Sequence, residues 1–573
     1  MYRTLNSIIM LSQSKTMMLS NILKRINPGK LTVYLATSIL LFSSCNSKTN
    51  ADLIVHNGVV YTIDSAFSVV QAMAVKNGRI IATGSDDEIL SQFESANTTN
   101  LEGKFVYPGF IDAHAHFLGY GLSLASVDLN GTESWSEVLE RVQQFASKNP
   151  EGWITGRGWD QNDWPVKQFP TREALDSLFP DRPVILERVD GHASLANGKA
   201  LELAGITRGM KITGGDVVEQ NGKPTGLLID NAANLVTSKI PAPGSDQLKR
   251  ALMDAQKNCF AVGLTTVDDC GISAGEVDLY DGLHKSGDLK MRIYAMLSDD
   301  KRNFDFLFAK GKIKTDRLNV RSFKVYADGA LGSRGASLLA DYTDRAGWKG
   351  FLLSDPAHFD SVAAVLNEKD FQMCTHAIGD SGNRTILNIY AKYLQPGNDK
   401  RWRIEHAQVV NKDDFQKFGQ YNIIPSVQPT HATSDMYWAG HRLGEAREKG
   451  AYAFKDLLKQ NGWIPLGTDF PVEDISTLKT FYAAVVRKDG KGWPQQGYQP
   501  ENALSREEAL RGMTIWAAKS NFEEHEKGSL EKEKFADFII MDQDLMKVSS
   551  ELILKATVLK TFINGENVFT RNK

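Results

Sequence analysis

Cysteine is scarce in this sequence: four in 573 residues, with no Cys-x-x-Cys pair among them. That excludes a disulfide framework, a zinc ribbon and a thioredoxin-type redox site. An excess of either charge is also missing. Lys and Arg number 66 against 69 Asp and Glu, a net of −3, which excludes a general polyanion binder and so any partner of nucleic-acid type. Proline is sparse, 18 residues beside 47 glycines, so low-complexity and fibrous chains drop out. No Gly-x-x-x-x-Gly-Lys-Ser/Thr loop or His-Glu-x-x-His helix occurs, and kinase and zincin readings lose their support. What remains, 42% hydrophobic and 24% charged, is an ordinary globular body.

The apolar run at residues 31–42 is too short for a membrane span. At 1.5 Å per residue it covers about 18 Å, against a hydrocarbon core of roughly 30 Å. Lys24, Arg25 and Lys30 precede it and Ser43-Ser44-Cys45 follow, the layout of a secretory signal peptide. A Cys directly after the small pair resembles a bacterial lipobox. The expectation is a lipoprotein-type signal over 1–45, lipidation at Cys45, export across the inner membrane and a lipid anchor in the bacterial cell envelope.

Both ends of the remaining chain read as short strands. Asn77-Gly78 and Asn564-Gly565 each separate two β-rich runs, the strongest short-range hairpin signal. Neither end is large enough to bury a sheet face alone, so 46–107 and 528–573 are expected to pair into one composite β-sandwich. Between them, β-like runs at 110–116, 264–269, 291–297, 322–327, 371–376, 402–406, 422–428 and 463–469 are mostly separated by helical or loop stretches. Eight such runs predict a (β/α)8 barrel over 108–527. The interval at about 117–263 is far longer than one helix, so an insertion with its own structure is expected there; it carries Trp153, Trp159 and Trp164 and is placed to roof the barrel mouth.

Candidate chemistry sits at the C-terminal ends of those runs, where barrel enzymes carry it. His114 and His116 are two apart on a strand, so their rings share a face and can converge on a metal ion. Lys324, His376, His406 and Asp469 end four further strands. His192, Arg334 and His431 are candidates for lining a substrate pocket. Cys374, two positions before His376, reads as barrel packing, and Cys259 and Cys270 stand eleven apart as a conceivable pair. Glu405 is assigned to the outward face of its strand.

These residues carry a resemblance. Pro108-Gly-Phe-Ile-Asp-Ala-His-Ala-His116, Arg403-Ile-Glu-His-Ala-Gln408 and Gly467-Thr-Asp-Phe-Pro471 resemble the amidohydrolase superfamily. Lys324-Val-Tyr-Ala-Asp-Gly329, Gly332-Ser-Arg-Gly335, Thr375-His-Ala-Ile-Gly-Asp380, Asp190-Gly-His-Ala-Ser194 and Gly156-Arg-Gly-Trp-Asp160 resemble its YtcJ-like branch, to which N-substituted formamide deformylases belong. The resemblance implies a metal-dependent hydrolase that cleaves a carbon–nitrogen bond of a small molecule, an amide such as an N-acyl or N-formyl amine, by attack of a metal-bound hydroxide. It implies two divalent ions, zinc by preference: one held by His114, His116 and Asp469, the other by His376 and His406, with Lys324 carboxylated between them. Asp469 is then also the proton acceptor, and burial beside cations is expected to lower the Lys324 amine towards the neutral form that captures CO2. Competing readings are a one-metal deaminase or an ester hydrolase of the same superfamily, and a lipoprotein that binds a ligand without turnover. The deaminase scheme calls for a Glu three residues after the fifth-strand His, where this chain has Gly379.

Overall fold

The computed structural model describes residues 48–572; the signal-peptide run and Cys45 lie outside the described residues. Residues 51–89 and 95–572 belong to one compact unit. The described part of the other is a short parallel pairing, with Thr49 opposite Phe93 and Asn50 opposite Glu94.

Seven parallel strands follow one another around the barrel: β1 (Phe110–Ala115), β2 (Leu264–Ile272), β3 (Arg292–Ser298), β4 (Leu318–Tyr326), β5 (Gln372–Ala377), β6 (Arg403–His406) and β7 (Ile424–Ser426). Their near-continuous burial reflects two covered faces, one turned to the barrel interior and one to the helices. The intervening helices begin on side-chain caps. Ser273 and Glu276 close a capping box on Ala274–Ser286, and Asp300 and Asp355 cap Lys301–Lys310 and Pro356–Glu368.

The eighth stave differs from the expected strand. Residues 464–469 form no ladder, because Pro465 has no amide hydrogen to donate. Closure rests on isolated contacts. Leu466 bridges Val427 in parallel, Ala113 N donates to Leu466 O (3.2 Å) and Asp469 N donates to His114 O (2.8 Å). Asp112 takes the place of the missing ladder, accepting from Thr468 N (2.9 Å) and Thr468 Oγ1 (2.7 Å).

The two chain ends share one sandwich. Phe538–Met541 runs antiparallel to Phe105–Pro108 within a six-stranded sheet, and Leu53–His56 sits in a four-stranded sheet with Ala72–Lys76 and Arg79–Gly84. Val55, Val75 and Ile80 from one end pack in a single buried cluster with Phe538, Ile540 and Phe562 from the other. Both Asn-Gly pairs turn with positive φ, 50° and 74° at Asn77-Gly78, 53° and 71° at Asn564-Gly565, as a tight hairpin requires.

The insertion after β1 builds a six-stranded mixed sheet. Trp159 and Trp164 lie in its core, and Trp153 packs against a second cluster of it. The tryptophans thus hold the insertion together, and the surface it turns towards the barrel mouth is largely polar.

Candidate active site

A cavity of about 930 Å³ opens at the C-terminal ends of the barrel strands, lined by His114, His116, Lys324, His376, His406 and Asp469. The structure therefore brings all six sequence candidates together. Among the described residues, His114, His406 and Asp469 form the set whose ligand atoms lie within 4.8 Å of one another. The His406 ring centroid is 4.6 Å from that of His114 and 4.5 Å from that of His376. His116 Nε2 lies 3.2 Å from Asp469 Oδ1.

Backbone strain contributes to this convergence. His406 (φ 73°), Ala407 (φ 42°) and Asp469 (φ 63°) all adopt left-handed conformations, which cost non-glycine residues of order 1–3 kcal/mol and concentrate at functional sites. On β6 the alternation sends Arg403 and Glu405 into the barrel, and the left-handed turn at His406 brings its ring in as well. The expectation for Glu405 is corrected accordingly. It is fully buried inside the barrel and accepts the Nδ1–H of His114 at 2.6 Å, not an outward ion-pair partner. Period-two reasoning failed there because the period stops at His406.

Three of the four histidine candidates are held by a partner that leaves one nitrogen free. Glu405 takes the Nδ1 proton of His114, Gln428 Oε1 that of His406 (2.8 Å), and the Cys270 carbonyl that of His116 (3.2 Å). The Nε2 atoms then present lone pairs to the cavity, the arrangement metal-binding imidazoles adopt. Burial, aided by the Lys324 charge, pushes His114 down to about 4 against the pull of Glu405. Burial and neighbouring histidines hold His376 and His406 well below their ordinary range. Neutral imidazoles are what a cation requires. Burial alone would raise Asp469, but His114, His116 and His431 overcome it and keep the carboxylate ionised. Among the described residues His376 Nε2 is buried with no hydrogen-bond partner, a cost explained when a cation satisfies it. The donor set, imidazole and carboxylate without thiolate, fits zinc and other first-row dications.

Lys324 is held as an ammonium in the metal-free chain, whereas the lowering expected of it requires the cations. It is fully buried, with Nζ 3.0 Å from His114 Nε2. Burial would lower its amine, but Cys270, Tyr326, Glu405 and Asp469 more than offset that and the ammonium is favoured. Asp328 is not its partner; that carboxylate is taken by the amides of Ser337, Ile378 and Gly379 (2.8–2.9 Å).

The three pocket candidates divide. His431 lines the cavity and bridges Asp469 Oδ2 (3.3 Å) and Glu473 Oε1 (3.1 Å). His192 lines it too, its Nδ1–H held by Asp230, with its ring 5.0 Å from that of His376. Burial opposes charge on His192, yet Asp230 and Asp190 lift it to about 9. Arg334 lies outside the cavity lining. Its guanidinium is paired with Asp344 (2.8 Å), which corrects its placement as a substrate contact. Asp230 explains two glycines of the Lys324 segment, since a Cβ at Gly329 or Gly335 would stand 2.5 or 2.4 Å from its carboxylate. Sequence reasoning missed Asp230, Gln428 and Glu473, which stand far in the chain from the residues they hold. Cys259, Cys270 and Cys374 are free and buried; Cys374 packs beside Cys270, Tyr294 and Met296.

Comparison with known proteins now has a geometry to meet. Residues 97–569 match the model of the amidohydrolase family. The chain belongs to that family. This amidohydrolase is 35% identical over 542 residues to the protein LONG AFTER FAR-RED 3 of Arabidopsis thaliana, covering 91% of this chain and 92% of that one. It is 30% identical over 527 residues to the Bacillus subtilis protein YtcJ (90% and 99%) and 27% identical over 541 residues to the N-substituted formamide deformylase of Arthrobacter pascens (90% and 97%). With its His–His–Asp cluster, this amidohydrolase is a metal-dependent hydrolase acting on carbon–nitrogen bonds other than peptide bonds.

Proposed function

We propose that this amidohydrolase cleaves the amide of an N-acyl amine, N-formyl amines first among them. The observation that carries the reading is the convergence of His114, His406 and Asp469 beneath a cavity large enough for a small molecule; the likeness to a formamide deformylase supports the choice of amide. A bound divalent ion supplies Lewis acidity and brings water's pKa down to about 7. Glu405 and Gln428 fix the tautomers of His114 and His406. Asp469 accepts the proton of the attacking water at Oδ1 and passes it to the departing amine, while His431, itself oriented by Glu473, steadies Oδ2. His192, oriented by Asp230, is placed to donate from Nε2 to the oxygen of the tetrahedral intermediate.

We further propose two ions, zinc by preference, with Lys324 carboxylated between them. The support is a surplus of donors: His376 Nε2 is unpartnered and His116 Nε2 stands outside the close set. A one-ion site in the His114–His406–Asp469 set is the competing reading. In its deaminase form it fails at Gly379, where even a Cβ would stand 2.0 Å from Ser337 O. Elemental mass spectrometry of protein purified without chelator, paired with a screen of formamides, acyl amines and nucleobases, tests these statements. About two ions per chain with release of formate or another acid supports them. One ion with ammonia release from nucleobases would reverse the choice, and tight ligand binding without product would favour a binding lipoprotein.

The cellular address is also a proposal: cleavage before Cys45 and lipid attachment there, placing the enzyme in the cell envelope. Its support is the run at 24–45. Cys45→Ala should move the protein from membrane to soluble fractions and abolish fatty-acid incorporation; unchanged fractionation would rule the anchor out.

A further inference from the structure

The cavity over the metal cluster carries a second set of charges, of which the proposed chemistry uses only Glu473, through His431. Asp160 and Asp163 flank the single turn Gln161–Asp163 in the insertion, Asp435 ends the helix Pro429–Asp435 after β7, and Glu473 follows the eighth stave. Four carboxylates thus reach one cavity from three separate segments. Asp160 is answered by Arg188, Asp435 by Tyr452 (2.7 Å) and Gln408 (3.2 Å), and Glu473 by His431 and Ser434. Asp163 has no side-chain partner among the described residues. Burial pushes it up to about 6, with Asp160 and Glu473 adding to the effect and the Arg188 and Lys167 charges opposing it.

These carboxylates are spaced too widely for a metal ion. Among the described residues they do not appear as a set whose oxygens lie within 4.8 Å of one another. Tyr437, whose hydroxyl donates to Asp489, and Trp438, with the Arg442 guanidinium 5.5 Å from its ring centroid, line the same cavity. So does Thr430, which is 6% exposed and whose hydroxyl is buried with no partner. Of the cationic side chains in the lining, Arg157, Arg188 and Lys479 are each paired with a carboxylate, as are His192 and His431, both raised above the ordinary imidazole range; Lys324 belongs to the metal cluster, and Lys488 has no salt bridge among the described residues. Dispersed negative charge, aromatic faces and an idle hydroxyl in one concave wall suit an organic ammonium, which gives up water more readily than a metal ion and gains from ring faces.

We infer that the substrate is an acylated diamine or a close relative: an amide whose amine half carries a second, positively charged nitrogen that rests among Asp163, Asp435 and the Tyr437–Trp438 rings. This rests on the amide-hydrolase reading and names the substrate class of the same site.

Two measurements on the metal-loaded full chain keep the readings apart. Calorimetry compares choline with its neutral isostere, in which carbon replaces the quaternary nitrogen; neither can be hydrolysed. Choline should bind about tenfold more tightly, Asp163→Asn should narrow the gap, and Asp163→Lys should close it. Equal affinities, or a preference that survives Asp163→Lys, overturn the inference. Turnover is then compared for two formamides, the N-formyl derivatives of (2-aminoethyl)trimethylammonium and of its neutral isostere 3,3-dimethylbutylamine, by formate release. Equal rates with equal affinities leave the hydrolase standing and this inference overturned. A choline preference with no formate from either amide retains the cation site and counts against amide hydrolysis.

Discussion

Glu405 Oε2 lies 2.6 Å from His114 Nδ1 with both side chains fully buried. This pairing fixes which nitrogen of His114 faces the cavity, and it places a negative charge behind a ligand rather than on the helix side of the barrel. Arg403, two residues earlier on β6, sits 3.8 Å from the same carboxylate and donates to Asp268 (2.9 Å). The metal cluster therefore stands on a buried charged layer.

Removing the Glu405 carboxylate should act through metal affinity. Glu405→Ala leaves the His114 Nδ1–H without an acceptor, and loss of such a partner typically costs about 10–100-fold in metal binding. Titration against a competing chelator measures this. Affinity within about twofold of the parent chain would show that Glu405 does not orient His114.

Asp469 should be indispensable to turnover. Asp469→Asn keeps the shape but removes the proton acceptor, and a fall in kcat of about 100-fold or more is expected. A Tm close to that of the parent would show that the fold survives. Undiminished turnover would sink the proton-transfer role.

Lys324 has a test of its own, since the chain alone favours its ammonium form. Metal-free protein reloaded with zinc should take up about two ions per chain in bicarbonate and fewer in CO2-depleted buffer. Lys324→Ala should lose that dependence. Full metal content and activity in Lys324→Ala would remove the bridge from the mechanism.

The buried histidines should cost the metal-free protein stability in acid over a defined window. The folded chain holds His114 at about 4 against 6.5 for the free group, so between these values the unfolded chain binds more protons and stability falls as pH falls. That amounts to on the order of 3 kcal/mol from His114, with His376 and His406 adding in the same direction. His192, raised to about 9, acts oppositely: its contribution is complete below about 6.5 and is lost as pH rises towards 9. Buried Asp112, Asp268 and Asp328, pushed up to about 7, act against the histidines over the same window, so the histidine effect is read as a difference: between pH 6.5 and 4.5 the metal-free protein should lose more Tm than its His114→Gln variant, and equal slopes would contradict the burial of a neutral imidazole.

The barrel and its ligands were legible because each strand end carries a polar residue where an apolar one would otherwise pack, and that contrast survives without coordinates. The sandwich was legible from two Asn-Gly turns. Glu405 was misplaced because a positive φ at His406 breaks the alternation, and nothing in the local sequence marks a non-glycine residue as left-handed. Arg334 was misplaced for a different reason. Its partner Asp344 lies across a loop whose path no periodicity describes. The protonation of Lys324 depends on Cys270 of β2, Glu405 of β6 and Asp469 of the eighth stave meeting it and its own strand's Tyr326, which only tertiary structure reveals.

The sandwich joins the first strands made to the last. Leu53–His56 and Ala72–Lys76 leave the ribosome early, yet the faces of Val55 and Val75 stay uncovered until Phe538 and Phe562 arrive. A chain broken off before its final fifty or so residues would carry an open apolar sheet edge and face, the kind of surface that draws aggregation and proteolysis. Completion of synthesis is thus built into folding: the pairing of Phe105–Pro108 with Phe538–Met541 can form only when the whole barrel between them has been made.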